Sequence, residues 1–315
     1  MKKIYFTIDF EDTVNTESIK VCARALNIFR DYNTQPLIFI TGDLIKLLFT
    51  KSLVFKEEIN IIKKFATLGY HTISHLPPTI VEITDKKDYL EAYNKAYEHE
   101  TQLISIKNKN YFILDLFYLL FNQRPVFCRF PGFSWTPPYI ESLRKLGIYL
   151  SFDLYPYNLE RIPHTFNKKD IIFIKPDYIV WIDEIIRNNS LTEGKAILDE
   201  YLKDYNFINI SIHINRLCNK EWWIDYYTNP DKLPLYSGRK IEIHIELLRK
   251  LLDYIEGKAQ IISQDFLKYL TISTNIKISD KDIRHIYDNA IYWVIQKFDY
   301  TPQYLFKHFL NFFHK

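Results

Sequence analysis

Cysteine is sparse in this chain. Cys22, Cys128 and Cys218 stand far apart and are odd in number, which argues against a disulfide framework and against a cysteine-based zinc site. They read as buried, inert thiols. Long apolar runs are missing too, since nothing reaches the ~20 consecutive apolar residues of a membrane span. Residues 111–121 are strongly apolar but about half that length, so they read as a buried or interfacial helix. The opening apolar run, residues 4–8, is too short for a secretion signal and ends in Asp9 and Glu11. It reads as the first core strand, and a cytoplasmic protein is expected. A surplus of one charge sign is also lacking. The formal net charge is +3, from 41 Lys and Arg against 38 Asp and Glu, and no basic stripe alternates with aromatics. Nucleic acid is therefore not an expected partner. No internal repeat of ~20–50 residues occurs. Glycine is scarce at 7 residues while aromatics reach 17%, and neither bias by itself names a function.

What is present is the balance of an ordinary globular protein, 47% hydrophobic and 25% charged. The 315 residues suffice for one large α/β domain or two smaller ones. Strand-like and helix-like runs alternate. Strands are expected over residues 4–8, 36–41, 70–75, 125–129, 148–152, 170–174, 178–182, 207–212 and 260–263. Helices are expected over 17–30, 57–68, 86–106, 137–146, 191–202 and 240–255. Gly69 fits as the C-cap of the 57–68 helix, and Asp85 as the N-cap of the 86–106 helix. Such alternation with short links implies a parallel sheet or barrel covered by helices. From about residue 271 it stops, and two aromatic-rich helices are expected over 280–298 and 302–314. The second is amphipathic and basic. It is expected to pack on the barrel, with peripheral membrane contact as the alternative.

Polar groups that could act on a bond gather at strand ends. In a parallel barrel the carboxyl ends of the strands carry the active residues, and Asp9, His75, Arg129 and His213 all stand at such ends. Asp9-Phe10-Glu11-Asp12 sets three carboxylates at the end of the first strand, with Asp9 and Glu11 on one face. One could hold a cation while the other takes a proton from water, although the run taken alone reads as a solvated turn. His71 and His75 follow. If residues 70–75 form a strand, four steps span ~13 Å, and both rings cannot easily reach one ion. His75 is then the expected metal ligand and His71 a structural residue. Arg129 can pin a carboxylate bidentately. His213 ends a run too apolar for a surface strand. It can protonate a leaving amine, or be a satisfied core histidine.

These segments, in this order, resemble the polysaccharide deacetylase family, carbohydrate esterase family 4, with its NodB-like homology domain. The resemblance covers roughly residues 3–268. It implies an α/β fold, a distorted parallel (β/α) barrel of about seven strands over residues 1–270, with a helical C-terminal extension over 271–315 packed on it. It also implies roles. In the branch of the family with an extra spacer residue, Asp9 is the base and Glu11 a metal ligand. Residues 36–42 resemble the second strand, which runs into a glycine. Gly69-Tyr70-His71-Thr72-Ile73-Ser74-His75 resembles the second motif, with His75 as the first metal histidine. Arg129-Phe130-Pro131-Gly132-Phe133-Ser134 resembles the motif whose arginine positions the catalytic aspartate. Ile212-His213 resembles the last motif, with His213 as the general acid. Asp153 stands near where the family keeps an acid, and Trp181-Ile182-Asp183 is a distant echo of the fourth motif. Two positions depart from the pattern. Thr79 falls where the second metal histidine is expected, and Ser211 replaces a leucine of the acetyl pocket. The metal motif reads as degenerate.

The expected activity is removal of an acetyl group from an N-acetylated sugar, intracellular or lipid-linked. A divalent metal, zinc or a similar ion, is expected on Glu11 and His75, with water or His71 completing the shell. Asp9, held by Arg129, would deprotonate water, and His213 would protonate the departing nitrogen. A carbohydrate or other N-acylated small molecule is the expected partner. Two alternatives stay open. One is a metal-independent hydrolase of a non-sugar amide. The other is a non-catalytic sugar- or protein-binding barrel that has lost its metal, which Thr79 favours.

Overall fold

The computed structural model describes residues 2–75, 89–133, 135, 137–153, 165–168 and 171–263. Asp85, Thr79 and the expected C-terminal helices lie outside them. The first half of the chain gives β1 (Lys3–Phe10), α1 (Glu17–Asp31), β2 (Leu37–Ile40), α2 (Gly42–Thr50), α3 (Lys56–Phe65) and β3 (Thr67–Tyr70). Then come α4 (Tyr89–Glu100), β4 (Leu103–Ile106), β5 (Lys109–Phe112), α5 (Ile113–Phe121), β6 (Phe127–Cys128), α6 (Pro137–Lys145) and β7 (Leu150–Ser151). The second half gives β8 (Thr165–Lys168), β9 (Ile171–Ile174), β10 (Tyr178–Trp181), α7 (Ile182–Arg187) and α8 (Leu191–Asp204). It ends with β11 (Phe207–His213), α9 (Asn215–Cys218), α10 (Gly238–Glu256) and β12 (Gln260–Ile261).

Eight strands run parallel in the order β10-β11-β1-β2-β3-β6-β7-β9, one more than the seven or so expected. The sheet curls into a half-barrel with helices around it, a distorted (β/α) barrel. β8 joins antiparallel beside β9, and β12 pairs with the start of β1.

Period-two alternation gives each strand two faces. On β1, Ile4, Phe6, Ile8 and Phe10 enter the large core beneath the helices, while Tyr5 belongs to a second core. That second core also holds Leu37, Phe39, Phe127, Leu150, Phe152 and Phe207. Its rings meet at a tilt, Tyr5 with Phe207 at 5.1 Å and Phe39 with Phe152 at 5.5 Å. Farther along the same strand faces come polar residues: Thr7 and Asp9 on β1, Asn209, Ser211 and His213 on β11, and Arg129 after β6. The register sets Thr7 against Ser211 and Asp9 against His213. This face is thus apolar at the amino ends of the strands and polar at their carboxyl ends.

Several expectations are corrected. Residues 57–68 do not form one helix, because α3 stops at Phe65 and Gly69 lies within β3. Gly69 serves a close approach and not a helix cap: a Cβ there would stand 2.7 Å from Phe39 Cδ1. Nor do residues 70–75 form a strand. β3 ends at Tyr70, and the left-handed backbone of Thr72 (φ 56°) turns the chain back. Gly42 and Asp43, opening the unexpected helix α2, donate to the carbonyls of Thr72 and Ile73 at 2.9 and 2.8 Å. The 86–106 helix is also too long. α4 ends at Glu100, and residues 103–112 form a hairpin whose turn residues Lys107 and Asn108 both have positive φ, the pattern of a two-residue hairpin loop. Helix α7, directly after β10, was not expected either.

Other readings agree with the structure. Of residues 111–121, Ile113–Phe121 form helix α5, with Ile113, Leu116 and Phe117 fully enclosed and Tyr118 and Leu119 exposed. All three cysteines are free and buried. Among the described residues no helix is long and apolar enough to cross a membrane.

Gly69→Ala should destabilise the fold by about 1–3 kcal/mol, because Phe39 is boxed in by Phe152 and Arg129 and cannot yield freely. Urea denaturation measures it. A stability equal to wild type would show that the ring adapts at no cost.

Candidate active site

Arg129 organises the site. It is fully buried, and its guanidinium reaches from the end of β6 to β1 and β11. Nη1 donates to Asp9 Oδ1 at 2.9 Å and to Ser211 Oγ at 3.2 Å. Nη2 donates to Thr7 Oγ1 at 3.0 Å and to Asn209 Oδ1 at 3.2 Å. The expected bidentate grip on a single carboxylate is therefore corrected to a fork shared among four acceptors on two adjacent strands. The charge also lies over the Phe39 ring at 4.6 Å. Ser211, expected near an acetyl pocket, is instead absorbed into this network.

Beside it stands a cluster that the sequence reading split apart. One ligand atom each from Glu11, His71 and His75 lie within 4.8 Å of one another, and all three residues are buried. Glu11 Oε2 is 2.9 Å from His75 Nε2 and 3.4 Å from His71 Nε2. The expectation that His71 cannot reach an ion held by His75 is corrected. It assumed an extended chain, whereas the turn at Thr72 folds both rings to one side, with centroids 5.4 Å apart. Glu100 supports this turn from below. It accepts from the Ile73 backbone and from the hydroxyls of Tyr70 and Tyr139.

The cluster fits a divalent cation. Buried Glu11 Oε2 receives no hydrogen bond among the described residues. His71 Nδ1 lies 2.6 Å from the Arg129 carbonyl, which can only accept, so Nδ1 carries the proton and Nε2 the lone pair. The separations of 3.4 and 2.9 Å lie at and somewhat below the ~3.4 Å edge of a tetrahedron with bonds of ~2.1 Å. Burial favours protonation of Glu11, yet the two imidazoles beside it, His75 and then His71, outweigh burial. They hold the carboxyl well below its usual range.

His213 faces the same space from the end of β11. Its Nε2 is 3.8 Å from Asp9 Oδ2, and its Nδ1 is 3.5 Å from Asp183 Oδ1. Burial lowers the affinity of this ring for a proton, but Asp183, Asp9 and Glu11 together raise it above the ordinary histidine value. Trp181 stacks on the ring at 4.3 Å, and Trp222 meets it edge-on at 5.0 Å. The distant echo Trp181-Ile182-Asp183 thus surrounds the imidazole. Sequence reasoning missed Trp222 and Trp223, for which only the rare adjacent pair gave a signal. Trp223, on a short 3-10 turn (Trp223–Tyr226), donates its indole N–H to Glu11 Oε1 at 3.3 Å.

Two further carboxylates are structural. Asp12 accepts from the backbone of Val14 and Asn15 and from Asn219. Asp153 accepts from the Phe130 N–H at 2.6 Å and the Ser151 hydroxyl at 2.6 Å, shaping the turn after Arg129. Burial pushes each of them up to about 6.

By sequence the chain matches no family profile and no curated protein. By structure it is similar to a protein named as a polysaccharide deacetylase from Mycobacterium smegmatis, with TM-score 0.54 and 12% identity over 88% of this chain and 94% of that one. It is also similar to the 4-alpha-glucanotransferase from Thermococcus litoralis, with TM-score 0.52 and 11% identity over 90% of this chain and 43% of that one. A family 4 carbohydrate esterase from Streptomyces lividans aligns at TM-score 0.42 and 12% identity, over 83% of this chain and 91% of that one. At these identities the likeness establishes the fold alone, a distorted (β/α) barrel, and leaves the reaction to the site.

Asp153 gives a pH prediction. With its folded value near 6, the folded chain holds a proton between pH ~4 and ~6 that the unfolded chain has released. Stability from this group is complete below the unfolded value and is lost as pH rises through the folded one, by up to ~1.4 kcal/mol per pH unit. Asp153→Asn keeps an acceptor for Phe130 and removes the titration. Denaturation at pH 5, 6 and 7 should show a shallower slope for the variant, with the share of Asp12 retained. An unchanged slope would rule Asp153 out as the proton-binding group.

Proposed function

We propose that this protein is a metal-dependent hydrolase that removes the acetyl group from an N-acetylated amino sugar. One observation carries the reading. The Glu11–His71–His75 cluster and the Asp9–His213 pair, whose nearest atoms are 3.8 Å apart, share the carboxyl end of one half-barrel. Glu11, His71 and His75 would hold a divalent cation, zinc or an ion like it, which would supply Lewis-acid polarisation of the acyl oxygen. Asp9 keeps Oδ1 on Arg129, so Oδ2 is the atom placed to take a proton from attacking water. His213, favoured in its charged form by three carboxylates, donates a proton from Nε2 to the departing nitrogen. Asp183 on Nδ1 and the stacked Trp181 hold that ring in place. The products are acetate and a free amine.

A sugar substrate is supported by the motif resemblance. The names of both neighbours above TM-score 0.5 are also those of carbohydrate-directed proteins. The alternative of a barrel that has lost its metal depended on counting Thr79 as a missing ligand. With two imidazoles beside Glu11, that count is no longer needed.

Acetate release from N-acetylglucosamine oligomers, with zinc, cobalt or manganese added back after chelation, tests the proposal. Metal bound stoichiometrically without acetate from any N-acetylated sugar would leave a binding protein. Asp9→Asn should slow release by about 10²–10⁴-fold, and it should also lower the melting temperature because buried Arg129 loses its charge partner, so release is compared at a temperature where both proteins are folded. His71→Ala and His75→Ala should each strip most of the zinc, as read by elemental analysis. Full retention by His71→Ala would return that residue to the structural role first expected of it.

A further inference from the structure

One loop brings adjacent tryptophans to the two halves of the site. Residues 219–235 leave and return at one point, where Asn219 bridges Leu235 and the Lys220 N–H donates to the Pro234 carbonyl at 2.8 Å. The base of the loop is tied to the turn after β1. Asn219 Nδ2 donates to Asp12 Oδ2 at 2.8 Å, and Asn15 Nδ2 donates to Asn219 Oδ1 at 2.7 Å. Trp222 from this loop meets His213, while Trp223 is buried against Glu11 and lies edge-on to His75 at 6.2 Å. The loop cannot shift without disturbing Asp12, three residues beyond Asp9. The base of the indole's loop is therefore tied to the turn that follows the first strand.

The two oxygens of Glu11 have different surroundings. Oε1 takes the Trp223 indole N–H at 3.3 Å, while Oε2 faces the two imidazole nitrogens. The last torsion of a glutamate is broad and nearly two-fold, so without an outside donor nothing fixes which oxygen points where. We propose that Trp223 is a positioning residue for the cation site. It holds Glu11 as a one-oxygen ligand and so sets the affinity of the site for a small four-coordinate ion such as zinc. A single oxygen from Glu11, added to two imidazoles, makes three protein ligands and leaves one position of a tetrahedron for water or substrate. The inference rests on the metal reading above.

Zinc titration calorimetry on the full, chelator-stripped chain tests it, using wild type, Trp223→Phe, Glu11→Ala and the double variant. Trp223→Phe should bind zinc ~10–100-fold more weakly, the loss typical of an outer-shell partner. Added to Glu11→Ala it should cause no further loss, because the indole acts only through that carboxylate. Wild-type affinity in Trp223→Phe overturns the proposal while leaving the metal reading intact. So does an equal loss in both backgrounds, which would mean packing on His75. A wild-type chain that binds no zinc overturns both. A second measurement needs no Trp223 variant. In the wild-type chain one of the five indole N–H resonances should move on zinc binding, and the same one should move on Glu11→Gln. Failure of any indole signal to respond to Glu11→Gln also overturns it.

Discussion

Arg129 carries a charge across the inside of the half-barrel. It leaves the end of β6 and reaches β1 and β11, which lie three and four places away in the sheet order. A buried guanidinium is tolerable only where its protons find acceptors and its charge a partner. Thr7, Asp9, Asn209 and Ser211 provide both. Each of them points inward only because the register of β1 with β11 puts residues of the same parity side by side. A slip of β11 by one residue would turn Asn209 and Ser211 outward and take away two of the four acceptors of the arginine. Removing one partner of such a pair costs on the order of 3–5 kcal/mol, so the network fixes the register as strongly as it orients Asp9.

The same arginine touches the cation cluster through its backbone. Its carbonyl takes the proton of His71 Nδ1 and so turns Nε2 toward Glu11. One residue thus orients Asp9 with its side chain and His71 with its main chain. Asp153, which receives the next N–H in the chain, holds that carbonyl's peptide in place. The Glu11–His71–His75 cluster and Asp9 are thus joined through one residue.

The fold alone would not have chosen the reaction. Half-barrels of this kind are found in a protein named as a deacetylase and in a glucanotransferase, at almost the same structural similarity. The features that bear on chemistry are local: one buried carboxylate oxygen with no hydrogen bond among the described residues, and a second carboxylate facing an imidazole whose other nitrogen meets Asp183. That arrangement suits proton transfer to and from a bond held near a cation.

Much of this was legible in the residues. Alternating apolar runs gave the strands their order, since a strand buried on both faces must read that way. Asp9, Arg129 and His213 could be placed at strand ends because each follows a run too apolar for the surface. Glu11 was legible for the same reason, two residues beyond Asp9. The pairing of His71 with His75 was not. It depends on Thr72 taking a left-handed conformation, which nothing local in Thr72-Ile73-Ser74 announces. That conformation is held by α2 through Gly42 and Asp43, some thirty residues upstream. Trp223 was missed, and Asp183 was seen only as part of a distant motif echo, because their partners, Glu11 and His213, lie 212 and 30 positions away in the chain. The sequence by itself determined which strands form, which faces are buried and where charge enters the interior, all matters of periodicity and of the cost of burying polar groups. Only the tertiary structure decided which imidazoles meet which carboxylate, because that choice rests on a turn stabilised by distant segments.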